Sequence, residues 1–215
     1  MDRPVIVIVD YQMGNLGSIR NMFKKVGAQA LISSRPEDVA AADRLVLPGV
    51  GAFDTGMRHL EDTGLVPLLR EKVLAQGTPV LGICLGMQLM TQASEEGALP
   101  GLGWVKARTV RFPPDAGLRV PHMGWKTIAA RKPCPLLEEL GPEPRFYFVH
   151  SYHVVCERAE DVLTTTHYGH DFASAFALGN IFGVQFHPEK SHRFGMRLMH
   201  NFAQALGAAG PPEGP

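Results

Sequence analysis

The chain has 215 residues, 45% hydrophobic and 20% charged, with 21 Lys plus Arg balanced by 21 Asp plus Glu. That length suits one α/β unit with a sizeable core, and zero net charge with no basic stripe argues against a nucleic-acid partner. Three cysteines without C-x-x-C spacing indicate neither a disulfide framework nor a zinc knuckle, and the longest apolar runs are too short to span a bilayer.

Met1-Asp2-Arg3-Pro4 leads into a short strand rather than a signal peptide, so a cytoplasmic location is expected. Val5 to Val9 is a β-branched run of the kind buried on both faces of a parallel sheet. Leu16, Ile19, Phe23 and Val26 follow at helical spacing, and Gly27 is placed to end that helix. Ala28 to Ile32 reads as a second strand. Ser34-Arg35-Pro36-Glu37 has a capping-box pattern before a short helix reaching Ala42. Arg44 to Leu47 is a third strand, ending at Pro48-Gly49-Val50-Gly51. Leu65, Leu68, Leu69 and Val73 then form a helical face before the strand that carries Cys84. This alternation predicts an α/β fold with a doubly wound, mainly parallel sheet flanked by helices. In the second half, Trp104 to Phe112, Lys126 to Ala129, Arg145 to Val149, His153 to Cys156 and Val162 to His167 read as additional antiparallel strands. Ser191 to Leu206 closes the fold as a helix with Phe194, Leu198, Met199 and Phe202 on one face. One domain over 1–206 is expected, with 207–215 a disordered Gly/Pro-rich tail.

The chemistry concentrates in two places. Gly82-Ile83-Cys84-Leu85-Gly86 follows the apolar run Pro79-Val80-Leu81, and G-x-C-x-G is the cysteine form of a nucleophile elbow. The thiol is pushed out at the strand end. Leu85 N–H then opens a helix, where it faces a developing oxyanion and favours a thiolate. Downstream, Ile181 to Phe186 ends in His187-Pro188-Glu189. His187 and Glu189 leave the same face of an extended chain, and Pro188 biases His187 toward that geometry. Together these supply nucleophile, base and orienting acid. A second oxyanion donor is expected from Gly49-Val50-Gly51, where the flanking glycines let the Val50–Gly51 peptide turn. A resting state with a carbonyl facing the site, turned by a partner, would hold the free subunit nearly inactive. The H-x-E pattern also occurs in zinc deaminases, but P-C-x-x-C is missing, because Leu137 stands where the second cysteine belongs. No metal and no cofactor is expected, and Gly14 and Gly17 complete no dinucleotide fingerprint. Cys134 and Cys156 read as structural, and His153, His167 and His170 as surface or turn residues.

Five segments in order, LPGVGAF (47–53), GICLGMQLM (82–90), PHMGW (121–125), FYFVHSYHV (146–154) and GVQFHPEKS (183–191), resemble the class I, triad-type glutamine amidotransferases. Within that class the chain is most similar to the glutaminase subunits of imidazole glycerol phosphate synthases. Met87 stands where anthranilate and GMP synthetase relatives typically carry histidine. The resemblance implies hydrolysis of L-glutamine to glutamate and ammonia, with Cys84, His187 and Glu189 catalytic. It implies glutamine contacts at Gln88, Glu96 and the backbone of His150-Ser151-Tyr152. It also implies a heterodimer in which ammonia passes to a (β/α)8-barrel cyclase subunit in histidine biosynthesis, docked near Trp125 and Lys126. Glu96 is otherwise solvated charge, and His150 contributes through backbone or side chain. The chain departs from the family pattern at Gln12 (usually glycine), at Lys126 (usually asparagine) and at His192, which has no evident role. The alternatives are a glutaminase subunit of another synthase, or a non-catalytic regulatory protein on the same scaffold.

Overall fold

A computed structural model describes residues 4–113 and 118–204. The expected tail at 207–215 lies outside the described residues. The first half alternates as read: β1 (Ile6–Val9), α1 (Leu16–Lys25), β2 (Ala30–Ser33), α2 (Pro36–Ala41), β3 (Arg44–Gly49), α3 (Phe53–Asp62), α4 (Val66–Arg70), β4 (Val80–Cys84) and α5 (Leu85–Leu89). The short β5 (Ala93–Ser94) follows, then β6 (Ala107–Arg111), β7 (His122–Thr127), β8 (Ala129–Ala130), β9 (Arg145–His150), β10 (Tyr152–Cys156), β11 (Val162–Tyr168), β12 (His170–Leu178), β13 (Ile181–Val184) and α6 (His192–Gln204).

Among the described residues, eleven strands form one sheet, with β2-β1-β3-β4-β13-β12-β10-β6-β5 as its main path and β11 and β8 attached through β12. β2, β1, β3, β4 and β13 are mutually parallel, and β12, β10, β6, β11 and β8 add antiparallel pairings. The fold class is therefore as expected. β1, β3, β4 and β13 are buried on both faces because helices cover them, whereas β2, at the sheet edge, leaves Leu31 exposed. One core holds Ile6, Ile8, Phe23, Leu81, Leu198 and Phe202, and the other holds Val7, Val9, Leu45, Met57, Leu69 and Val80. Gly27 follows the end of α1 at φ +80°, as a helix-ending glycine should.

Local details differ where tertiary pairing overrides pattern. The capping box at Ser34 does not form. Arg35 is the N-cap with no side-chain bond, because Pro36 takes the first helical position and moves the start one residue on. Ser33 Oγ instead accepts from Arg35 N–H (3.0 Å) and donates to Asp38 (2.6 Å). The strand expected at Lys126–Ala129 begins at His122, since His122–Thr127 pairs antiparallel with Arg145–His150 in a separate two-stranded sheet. The strand expected from Trp104 starts only at Ala107, because Trp104 and Val105 fold back onto the Met90 carbonyl. His153 is not a surface residue: β10 lies inside the sheet, between β12 and β6, and its ring is 4% exposed, packed 4.6 Å from Phe112. His167 is exposed, as expected of a surface residue, but it lies in β11 and pairs with Asp171 across the hairpin (2.8 Å).

Candidate active site

Cys84 ends β4 at φ 53°, ψ −110°, a conformation that costs a non-glycine residue roughly 1–3 kcal/mol and persists only where its surroundings impose it. The imposition is steric. A Cβ on Gly86 would lie 1.7 Å from the Leu47 carbonyl oxygen, and one on Gly82 would lie 2.8 Å from Gly86 O and the Met87 backbone. Strand, turn and helix pass so closely that only glycine fits on either side of the cysteine. Leu85 opens α5 directly afterwards, so its N–H is left without an intrahelical acceptor.

β13 lies beside β4 in parallel, Val184 opposite Ile83, and delivers the chain that follows it to the Cys84 end of the sheet. His187 N–H donates to Tyr147 O (2.9 Å). Ser191 Oγ donates to His187 O (2.6 Å) and accepts from Tyr147 N–H (3.0 Å), so the backbone carrying the imidazole is held twice. His187 Nδ1 and Glu189 Oε1 are 2.8 Å apart, and both side chains are nearly fully buried, at 2% and 3% exposure. Facing a carboxylate, Nδ1 carries a proton, and Nε2 is the ring nitrogen turned away from Glu189. Nε2 is buried without a settled hydrogen bond, and the Cys84 sulfur is its electrostatic partner. Burial alone would lower the His187 pKa, but interaction with Cys84 and Glu189 outweighs it and raises the value to about 9. The imidazole therefore holds its second proton at neutral pH. Cys134 and Cys156 lie outside this setting. Burial raises both thiols, and with Asp161 adding to it Cys156 reaches about 12.

A cavity of about 340 Å³ gathers Cys84, Leu85, Gln88, Glu96, Val50, Gly51, His150, Ser151, Tyr152 and His187. The proposed triad nucleophile and base, the oxyanion residues and the substrate contacts therefore share one space. Pro121 and Val149 also line it and were not singled out from sequence. Gly51 sits at φ +109°, which a side chain would strain. Glu96 is anchored by Phe53 N–H (2.9 Å), and its pKa is raised by burial, offset by that N–H and increased again by Asp54. His150 is held by Tyr152 O at 2.7 Å and by His122 at 3.0 Å, and burial keeps it neutral, with a pKa near 3.

Trp125 and Lys126 are not in this cavity. Trp125 lies in a separate groove of about 740 Å³ with Arg145, His192, Arg193 and Phe194, its ring stacked on His192 at 5.3 Å and 10°. Lys126 Nζ sits over the Tyr168 ring at 5.7 Å. His192, opaque in sequence, is thus a stacking surface for Trp125. Gln185 also escaped notice. Fully buried, it donates to Cys84 Sγ at 3.7 Å, and the signal was an amide inside the apolar stretch Val184-Gln185-Phe186. Among the described residues no cluster of His, Cys, Asp and Glu is arranged to hold a metal ion, and no helix is long and apolar enough to cross a membrane.

The family model for "Glutamine amidotransferase class-I" matches residues 7–206. The chain is 52% identical over 198 residues to the imidazole glycerol phosphate synthase subunit HisH 2 of Methanococcus maripaludis, covering 92% of this chain and 98% of that protein. It is 48% identical over 202 residues to the subunit HisH 2 of Pseudomonas aeruginosa, covering 94% and 100%. Among solved structures, PurLQS from Thermotoga maritima superposes with TM-score 0.74 at 16% identity, covering 96% of this chain and 100% of that one. A glutamine amidotransferase from the same organism gives 0.64 at 17%, covering 96% and 85%. At those identities the structures speak to the fold alone, whereas the family match and the HisH relatives span almost the whole chain. The chain belongs to the class-I glutamine amidotransferases, within the HisH family of imidazole glycerol phosphate synthase subunits.

Proposed function

We propose that the protein is the glutaminase subunit of an imidazole glycerol phosphate synthase, an enzyme of histidine biosynthesis, acting through Cys84, His187 and Glu189. The observation that carries this is the elbow cysteine sharing one buried cavity with an imidazole already fixed by a carboxylate at 2.8 Å. The Cys84 thiolate attacks the carboxamide carbon of L-glutamine. The tetrahedral oxyanion is met by Leu85 N–H and by a donor from the Val50–Gly51 peptide. His187 gives its proton to the departing nitrogen, and ammonia leaves a γ-glutamyl thioester on Cys84. His187, now neutral, takes a proton from water as the water attacks, and glutamate is released with the thiolate restored. Glu189 holds the tautomer and stabilises the imidazolium throughout.

Substrate placement follows from the cavity walls. Glu96 is the carboxylate available to the substrate's α-ammonium. Gln88 spends its Nε2 within the protein and keeps Oε1 free to accept from the ligand. The Ser151–Tyr152 backbone lines the same wall, with its carbonyls already taken by Phe112, Gln88 and His150. The partner is a (β/α)8-barrel cyclase that receives the ammonia in the cytoplasm, docking along β7, whose Trp125 and Lys126 leave opposite faces of the strand. The groove's Arg145 and Arg193 outnumber its one carboxylate, Glu143, and so favour an acidic partner surface. The test is ammonia release from L-glutamine by the protein with and without the cyclase. Release should require Cys84, with Cys84→Ala abolishing it. A glutamine-like electrophile should label Cys84 and spare Cys134 and Cys156. Label mainly on either of those two would overturn the assignment.

A further inference from the structure

We propose that Gln185 is a further catalytic residue, an amide donor that holds negative charge on the Cys84 sulfur, its direction set by Gln88. Gln185 Nε2 lies 3.7 Å from Cys84 Sγ, and Gln185 Oε1 accepts from Gln88 Nε2 at 3.0 Å. Gln88 Nε2 also donates to Tyr152 O at 3.2 Å. An amide can be turned either way, so the network must decide which end faces the sulfur. A backbone carbonyl only accepts, so the Tyr152 carbonyl fixes the Gln88 nitrogen toward itself and Gln185. The Gln185 oxygen must then meet that nitrogen, and its NH₂ is left facing Cys84. Neither amide can flip without placing two donors or two acceptors against each other.

The position is permanent as well as directional. Gln185 is fully buried, and its backbone N–H is held by Ser174 O at 2.9 Å. The other titratable groups around the sulfur are His187 and Tyr11, whose hydroxyl is committed to Pro48 O. A buried amide already aimed at the sulfur needs little reorganisation when charge builds there. A donor to a charged group is worth roughly one to two orders of magnitude in an equilibrium or rate. The same bond would weaken as the sulfur becomes a neutral thioester, so the contribution falls on thiolate formation and on its return as leaving group. It rests on Cys84 being the nucleophile.

The discriminating variant is Gln185→Met, which removes the donor facing the sulfur without adding charge. If Gln185 merely scaffolds Gln88, Cys84 labelling is unchanged in this variant and only glutamine binding suffers. Gln185→Glu keeps the shape and the oxygen that accepts from Gln88 but sets an acceptor, and a carboxylate charge that itself opposes a thiolate, against the sulfur. If Gln185 serves the sulfur, Gln185→Glu is the worst of the set. The readout is the pH–rate profile for alkylation of Cys84 by iodoacetamide, located by peptide mass mapping, beside kcat and KM for glutamine in the complex with the cyclase. The expected result is Cys84 labelling slowed at pH 7 by at least about tenfold, its profile moved to higher pH, and kcat reduced with KM little changed. Gln185→Met, of similar volume without charge, guards against a variant that fails to fold and should show an intermediate loss. Wild-type-like labelling in folded Gln185→Met overturns the proposal, as does wild-type-like labelling in folded Gln185→Glu. Failure of the unmodified protein to label at Cys84 at all would instead overturn the nucleophile assignment.

Discussion

The two sides of the candidate active site are assembled by different kinds of interaction. The Cys84 side is local: β4, the turn and α5 occupy ten consecutive residues, Val80 to Leu89, and the constraint on Cys84 comes from Gly82, Gly86 and the neighbouring Leu47 carbonyl. The His187 side is not. His187 and Gln185 meet Cys84 only because β13 pairs beside β4 across about a hundred residues of sequence, and Tyr147 and Ser191 then lock the imidazole's backbone. The placement of Cys84 is thus encoded in a short motif, whereas its contacts with His187 and Gln185 depend on sheet assembly. Damage to the first should remove chemistry outright, and damage to the second should grade it.

The sharpest break on the assembled side is Glu189→Gln. Loss of the carboxylate leaves His187 in place without its tautomer and cation support, and turnover should fall by roughly three to four orders of magnitude. Glutamine binding, measured calorimetrically, should persist. Near-normal turnover would mean another acid orients His187. Next in size is Gly51→Pro in the loop that bridges the two sides. Removing that N–H and fixing φ near −65°, against the observed +109°, should cost the complex roughly two to three orders of magnitude in cyclase-stimulated turnover. An isolated wild-type subunit that already hydrolyses glutamine as fast as the liganded complex would show that no such gate exists.

The proton on His187 provides a graded probe. Its value is raised to about 9 from an ordinary 6.5. The stabilisation it brings is therefore complete below about 6.5 and lost as pH rises through about 9. Turnover should decline over the same alkaline range, approaching tenfold per pH unit beyond it, while the folded state loses stability in chemical denaturation. A flat profile from pH 7 to about 10 would contradict the ion pair. The smallest effect lies away from both sides. Trp125→Ala removes the ring stacked on His192 and should weaken cyclase binding about tenfold without unfolding the subunit. Unchanged affinity would place the interface elsewhere.

Legibility followed the same division. The elbow was readable because glycine is forced by contacts within a few residues, and His187 with Glu189 because their spacing of two needs only an extended chain. Gln88 was readable as a residue near Cys84, being one helical turn away, but not as one whose nitrogen is committed to Gln185 and Tyr152. His153 was misplaced because alternation in β10 does not reveal that a second layer, Phe112 and its aromatic neighbours, covers that face. β12 and α3 went unseen. Phe172 to Leu178 is apolar and alanine-rich with no clear period, and Phe53 to Asp62 carries its buried face on Phe53, Gly56, Met57 and Leu60, one of which is a glycine.

The sequence by itself determined the alternating parallel frame, the position of the thiol and the residue types able to activate it, because these follow from backbone sterics and short-range periodicity. Only the tertiary structure decided where β7 begins, which face His153 presents, that Trp125 rests on His192 in a groove apart from the cavity, and that Gln185 faces the sulfur. Each of these depends on a partner distant in the chain. An amide's direction or a strand's start is settled by the hydrogen-bonding group opposite it, and no local pattern names that group.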